Sequence, residues 1–345
     1  MELPGPSTSS TSGDVSRLHL ENPSNISNSA LPRTCQNCYL SHMQLVVYYF
    51  GQPEKVIKYC QDHGVISSES DILCPTCSSQ CRLDLRRKAF RCDKSYSVHK
   101  KKRRRCNFFV SIFKGTWFGK SQVDIETNFF LVYIYLSDTL FTYKYVENEL
   151  GLSKTTINDW CSFVREVVLH WVLGNKSKIG GVGTTVEIDE SKFGKRKYNV
   201  GRLVTGQWVF GGICRETREF FAVPVENRDT STLLAILHDY VEPGTTIISD
   251  CWKAYDCLSD EGFVHIKVNH SLNFVDPESG AHTNTIERRW RDLKNLVPKF
   301  GRRKEQFVAY LALAYFKLHF KEPNTRLHAF FKMAAQLYPP EKSIS

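Results

Sequence analysis

IGGVGTTVEIDESKF, residues 179–193, marks the point where this chain changes from helical to strand-like periodicity. Upstream, from Ile125 to Leu173, apolar residues recur at helical spacing, with a break at Gly151-Leu152-Ser153 that predicts two helices meeting at a tight turn. Downstream, TTVEIDES, QWVFGGICRE (207–216) and REFFAVPVEN (218–227) have the length and the β-branched or aromatic content of three successive antiparallel strands. A helix over TSTLLAILHDYV (230–241), a buried strand TTIISD (245–250), a short helix WKAYDCL (252–258), a strand FVHIKVNH (263–270) and a helix NTIERRWRDLKNLV (284–297) follow. The order βββαβαβα predicts an α/β domain with a mixed sheet over residues 180–300, and QFVAYLALAYFKLHF (306–320) is expected to pack on it as part of a C-terminal helical segment, 301–345.

Three acids stand at distinct addresses in that order. Asp189 and Asp250 end apolar strands, and Glu287 lies in a helix, with sixty and thirty-six residues between successive members. If the first and fourth strands pair, the two aspartates sit side by side. A carboxylate after an apolar run such as TTII is costly to bury unless it is paired or metal-bound. Carboxylates from separate elements can together hold two hard cations about 3.5 to 4 Å apart, the arrangement used in phosphodiester chemistry. Glu187 and Glu190 flank Asp189 and are expected on the opposite face of the strand, which leaves Asp189 as the member chosen. On the third element Arg291 and Lys294 follow Glu287 at i+4 and i+7, so an acid and two bases share one helix face.

The chain has 345 residues, 41% of them hydrophobic, enough for one large domain or several small ones with real cores. Its formal charge of +10 favours a polyanionic partner. No run approaches the roughly 20 apolar residues of a membrane span, and MELPGPSTSSTSGD lacks the regions of a signal peptide, so an intracellular location is expected. Eight of twelve cysteines fall between Cys35 and Cys106, a clustering that suits metal ligation better than disulfides.

Residues 1–33, rich in Ser, Pro, Asn and Thr, read as a disordered tail, and 34–66 as a small helical segment containing PEKVIKYCQDHGVI. Residues 70–118 are Cys-bearing and Lys/Arg-dense, with strands expected in KAFRC and NFFVSIFKGTWF. Cys74 and Cys77 have zinc-knuckle spacing, and Cys92 with Cys106 can complete a tetrahedral site; Cys81 and His99 are alternative ligands. A second set, Cys35, Cys38, Cys60 and His63, also has permissive spacing. The run Lys100, Lys101, Lys102, Arg103, Arg104 and Arg105 is expected to contact phosphate and has the form of a nuclear localisation signal, so a nuclear address is expected.

Within 125–175, YKYVENELGLSKTTINDWCSFVREVVLH has a helix-turn-helix pattern: Gly151 makes the turn, Ser153 caps, and Lys154, Thr155, Thr156 and Asn158 stand where a recognition helix meets a groove. The same pattern suits a plain helical hairpin bridging two domains. GKRKYNVGR clusters Lys195, Arg196, Lys197 and Arg202 beside Asp189, a loop suited to a DNA backbone.

The segments EIDESKFGKRKYNVGR, VFGGICRE, IISDCWKAY and HTNTIERRWRDLK, in this order over roughly residues 70–300, resemble the transposase domain of the Merlin superfamily and its bacterial insertion-sequence relatives of the ISXO type. The resemblance implies an RNase H-like catalytic domain, with Asp189, Asp250 and Glu287 as a DDE triad holding two Mg²⁺ or Mn²⁺ ions and Lys294 as its accompanying base. Some bacterial relatives use Asn as third residue, which keeps Asn284 as the alternative to Glu287. It also implies an N-terminal zinc ribbon, binding to terminal inverted repeats and target DNA, strand cleavage and transfer, and a homo-oligomer holding two ends. A catalytically inactive DNA-binding protein derived from such an enzyme is the alternative, and an RNase H-like nuclease without transposition a third.

Overall fold

The structure is a computed structural model, and it describes residues 38–99, 102–119, 121–138, 140–194, 206–250, 255–268, 281–298 and 304–340. The tail 1–33, Cys35, Lys100, Lys101 and the cations Lys195, Arg196, Lys197 and Arg202 lie outside them.

Two helices open the described chain, α1 (His42–Tyr49) and α2 (Pro53–Asp62). Ser41 and Gln44 form a reciprocal capping box that starts α1, and Pro53 stands in the first turn of α2, where no N–H is needed. The strands β1 (Arg82–Asp84), β2 (Ala89–Cys92), β3 (Ser95–His99), β4 (Lys102–Arg105) and β5 (Phe108–Ser111) build a three-stranded antiparallel sheet, β1-β2-β5, and a separate hairpin, β3-β4. Part of the basic run therefore lies on a strand, where Arg103, Arg104 and Arg105 are all exposed, while Tyr96 of the paired strand is partly buried against the core.

Helix α3 (Ile125–Leu136) is buried almost all round, packed by α2, by α5 (Lys154–Gly174) and by α9 (Pro323–Leu337). Between α3 and α5 lies α4 (Tyr143–Leu150). One continuous core joins these helices to the Cys-bearing sheet and to the inner side of α8 (Phe307–His319). Among the described residues no helix is long and apolar enough to cross a membrane.

The second half holds a five-stranded sheet. In chain order its parts are β6 (Ile179–Gly180), β7 (Thr185–Phe193), β8 (Gln207–Cys214), β9 (Phe220–Val225), α6 (Thr230–Tyr240), β10 (Val241–Glu242), β11 (Thr246–Asp250), β12 (Val264–Val268) and α7 (Asn284–Leu296). The sheet order is β12-β11-β7-β8-β9, with β7-β8-β9 antiparallel and β11 and β12 parallel to β7; β6 and β10 make a small parallel pair. A parallel return needs a crossover, and α6 supplies it between β9 and β11. Val186, Ile188 and Phe210 bury one face against Leu233 and Leu237 of α6. Phe193, Val209 and Ile213 bury the other against Ile286, Trp290 and Leu293 of α7 and Phe307 and Leu311 of α8. The result is three layers, with α8 wedged between the sheet and the helical half. The short helix expected from Trp252 is described only from Tyr255, where the chain runs as turns.

Candidate active site and metal centres

The parallel register sets Thr246 opposite Thr185 and Ile248 opposite Glu187; two residues further along, Asp250 is level with Asp189. Both aspartates thus stand side by side on neighbouring strands; Asp250 ends β11 as expected, but Asp189 lies mid-strand, because β7 stays paired with β8 as far as Phe193. Opposite Asp189 on β8 is Gly211, and a Cβ there would come within 2.6 Å of the Trp290 ring. The missing side chain lets Trp290 of α7 lie against the sheet and donate its indole N–H to Asp189 Oδ2 at 2.9 Å. The same helix carries Glu287, exposed on its first turns, and Lys294, whose Nζ donates to Ser191 Oγ at 2.6 Å.

Burial raises the Asp189 carboxyl to about 6; the Trp290 bond opposes this, while the negative charges of Asp250 and Glu287 push the same way as burial. Glu190, on the α6 side of β7, is pushed up to about 8 by burial and then by Asp189 and Asp250. Burial lowers Lys294 and the nearby Asp189 partly restores it. Asp189 is therefore the focus at which two further acids and one lysine are felt. The three carboxylates are more widely spread than the described thiol and imidazole sets, whose ligand atoms all lie within 4.8 Å of one another. Ligands shared between two ions are expected to spread in this way, because the ions themselves stand about 3.5 to 4 Å apart. Asn284 is the exposed first residue of α7.

Glu187 corrects the reading of this strand. Side chains along a strand alternate with a period of two, so Glu187 shares the face of Asp189 and Ser191, and only Glu190 lies opposite. Its fully buried carboxylate accepts from Arg215 Nε at 2.6 Å, and from the backbone N–H groups of Thr285 and Ile286 at 2.8 and 2.9 Å. Thr283, at the N-cap of α7, makes no side-chain cap bond, so a residue ninety-eight positions away caps the helix instead. Arg215 also donates to the His282 carbonyl at 2.5 Å. Glu187 and Arg215 act on α7, and through it on Glu287, Trp290 and Lys294. The sequence signal was available in the i−2 position of Glu187 relative to Asp189.

Cys74, Cys77, Cys92 and Cys106 converge into a set that could hold a structural metal such as zinc, with Sγ separations of 3.1 Å for Cys74–Cys106 and 3.5 Å for Cys77–Cys92. Hydrogen bonds from Ser79 draw the Cys77 thiol down to about 6, toward the thiolate that binds metal. Cys81 is buried nearby and pushed up to about 11, chiefly by burial, and stands outside the four. The side chain of His99 lies outside the described residues. Of the second set, Cys38 and His63 come together, joined by His328 rather than by Cys60.

In the helical pair α4–α5, Gly151 has the left-handed φ of 64° that a tight helix end requires, and the Ser153 hydroxyl accepts from the N–H of Thr156 at 3.2 Å. Lys154, Thr155 and Asn158 are exposed and Thr156 partly so, with Asn158 also accepting from the Tyr143 hydroxyl at 2.5 Å. Arg291 is exposed on α7, one turn beyond Glu287.

Comparison with known proteins bears directly on this half of the chain. A family model described as the ISXO2-like transposase domain matches residues 180–317. A curated relative, an uncharacterized transposase-like protein of Haemophilus influenzae, is 35% identical over 92 residues, which cover 26% of this chain and 73% of the relative. The chain belongs to the transposase family. The matched span 180–317 contains Glu187, Asp189, Gly211, Asp250, Glu287, Trp290 and Lys294, so the transposase match and the focus of buried charge coincide. Among solved structures, a simian T-cell lymphotropic virus intasome in complex with the PP2A regulatory subunit B56 gamma is 13% identical, covering 50% of this chain and 67% of that one at a TM-score of 0.27, too low to carry an argument.

Proposed function

We propose that this transposase-family chain is a DDE-type DNA transposase of the Merlin kind, acting in the nucleus as a homo-oligomer on terminal inverted repeats and target DNA. The single observation that carries the reading is the focus at Asp189, level with Asp250 and within electrostatic reach of Glu287. An RNase H-like fold is supported by the strand order β12-β11-β7-β8-β9, in which β8 alone runs against the rest.

Asp189, Asp250 and Glu287 form an all-oxygen donor set, which fits Mg²⁺ or Mn²⁺. Burial, reinforced by the negative charges of Asp250 and Glu287, lifts the Asp189 carboxyl to about 6, and a divalent cation would stabilise the charged form that this environment disfavours. Bound there, the ions would activate the attacking oxygen, first of water and then of a 3′-hydroxyl, and stabilise the leaving one. The protein's own part is orientation. Trp290 fixes the carboxylate plane of Asp189 by its N–H, Glu187 holds the start of α7, and Lys294 with Arg291 offers positive charge to phosphate on the same helix face.

Purified full-length protein with Mg²⁺ and DNA carrying the inverted repeats that flank its gene is expected to nick at the repeat ends and to stop when EDTA is added. Normal binding with no nicking would favour the inactive DNA-binding alternative and sink the enzyme reading. The exposed hairpin arginines make a second prediction. With Lys102, Arg103, Arg104 and Arg105 changed to Ser, the slope of log K against log salt should fall by about 0.9 for each phosphate that the protein no longer neutralises. An unchanged slope would leave this run with import alone.

A further inference from the structure

Outside the transposase match, three buried side chains from distant parts of the chain meet. Cys38 stands just before α1, His63 caps the end of α2, and His328 lies in α9; all three are at most 5% exposed. His63 Nε2 is 3.4 Å from Cys38 Sγ and 2.8 Å from His328 Nδ1. His63 Nδ1 is 2.7 Å from the Tyr59 carbonyl, and its ring stacks on Tyr59 at 3.9 Å.

The protons decide what this arrangement is for. A carbonyl only accepts, so His63 Nδ1 carries the proton, and the neutral ring has one lone pair, on Nε2. In a metal-free core both the Cys38 thiol and a protonated His328 Nδ1 would be directed at that single lone pair. A cation reverses the demand: it takes lone pairs from His63 Nε2, from His328 Nδ1 and from a Cys38 thiolate at once. The Nδ1–H···O=C bond to Tyr59 is the outer hydrogen bond that orients metal-bound imidazoles. His328 Nε2 has no partner among the described residues in either form and does not choose between them.

Distances agree with a tetrahedral ion. Bonds of about 2.0 Å to nitrogen and about 2.3 Å to sulfur place N and S about 3.5 Å apart and two N atoms about 3.3 Å apart. The observed N–S separation of 3.4 Å already fits, and the two imidazoles, at 2.8 Å, need to part by only about half an ångström. We propose that Cys38, His63 and His328 bind a second structural zinc ion, separate from the four-cysteine set, which ties α1 and α2 to α9. Three protein ligands leave the fourth position of a tetrahedral ion to water. Mixed sulfur and imidazole donors of this kind select zinc over the hard cations suited to the acid trio. The ion would link segments 265 residues apart, closing a loop far longer than that of the four-cysteine set.

The test is zinc stoichiometry on the full chain, dialysed against a weak chelator and measured by elemental analysis. Wild type is expected to carry two zinc ions, and Cys38→Ser/His328→Gln one, as is Cys74→Ser/Cys77→Ser. One ion in wild type, or two retained in Cys38→Ser/His328→Gln, would overturn the proposal. If that variant fails to fold, the cobalt-substituted wild type decides. Two cobalt ions with charge-transfer intensity for five thiolates are expected, whereas intensity for four thiolates on one ion refutes the site. Neither measurement depends on DNA cleavage, so failure of the zinc proposal and failure of the transposase reading are distinguishable.

Discussion

Asp189→Asn is expected to lower Mg²⁺-dependent strand cleavage by at least about 10³-fold, equivalent to about 4 kcal/mol of transition-state stabilisation, with DNA binding retained. The substitution is chosen for what it preserves. Asn keeps the shape of the side chain and a carbonyl oxygen that can accept from the Trp290 indole, now 2.9 Å from Asp189 Oδ2. It removes the charge toward which Asp250 and Glu287 converge and with it the anionic ligand for a cation. Asp250→Asn and Glu287→Gln should fall to the same level, and combining any two should add little, because the three act as one unit. Asn284→Ala should keep wild-type cleavage, which separates Asn284 from Glu287 as the third member. Cleavage by Asp189→Asn within tenfold of wild type, measured in single turnover with saturating DNA, would mean that the chemistry lies elsewhere.

Much of the half that matches the transposase domain was legible because its signals are local. The β-branched runs, the Gly-rich joint at 179–183 and the helix over Asn284–Leu296 each announce themselves within a dozen residues, and the strand–helix order then limits the topology. What a local pattern cannot supply is who meets whom. Glu187 caps a helix ninety-eight residues away, and Gly211 is small because Trp290 lies over it; neither partnership has a signature within its own segment. His328 joins Cys38 and His63 without any such signature, whereas Cys60, which the spacing only permitted as a ligand, is buried elsewhere on α2. Two further elements escaped. The capping box Ser41–Gln44 marks the start of α1, but Met43, Val47 and Phe50 lie exposed, so its apolar pattern does not point to the core. The hairpin β3-β4 is too charged to read as strand: among its described side chains Tyr96 alone is an aromatic set against the core, while Arg103, Arg104 and Arg105 are exposed, so no apolar alternation marks it.

Glu187→Ala is expected to destabilise the protein by about 3 kcal/mol, the low end for breaking a buried ion pair, because Arg215 retains about 25% exposure and can recover water. The loss has two parts. Arg215 forfeits its carboxylate, and the N–H groups of Thr285 and Ile286 at the start of α7 are left without acceptors inside the fold. Glu187→Gln separates them, since an amide oxygen can still accept from the helix while the charge is gone; about 1 to 2 kcal/mol is expected. Urea midpoints at constant slope would give both values. The site should respond as well. Glu287, Trp290 and Lys294 all ride on α7, so a helix that loses its cap should align them less well with Asp189. Cleavage per folded molecule should therefore fall in Glu187→Ala, and recover in part in Glu187→Gln. A loss of stability with unchanged cleavage per folded molecule would make Glu187 a support of the fold alone, and a change within about 0.5 kcal/mol would deny it even that role.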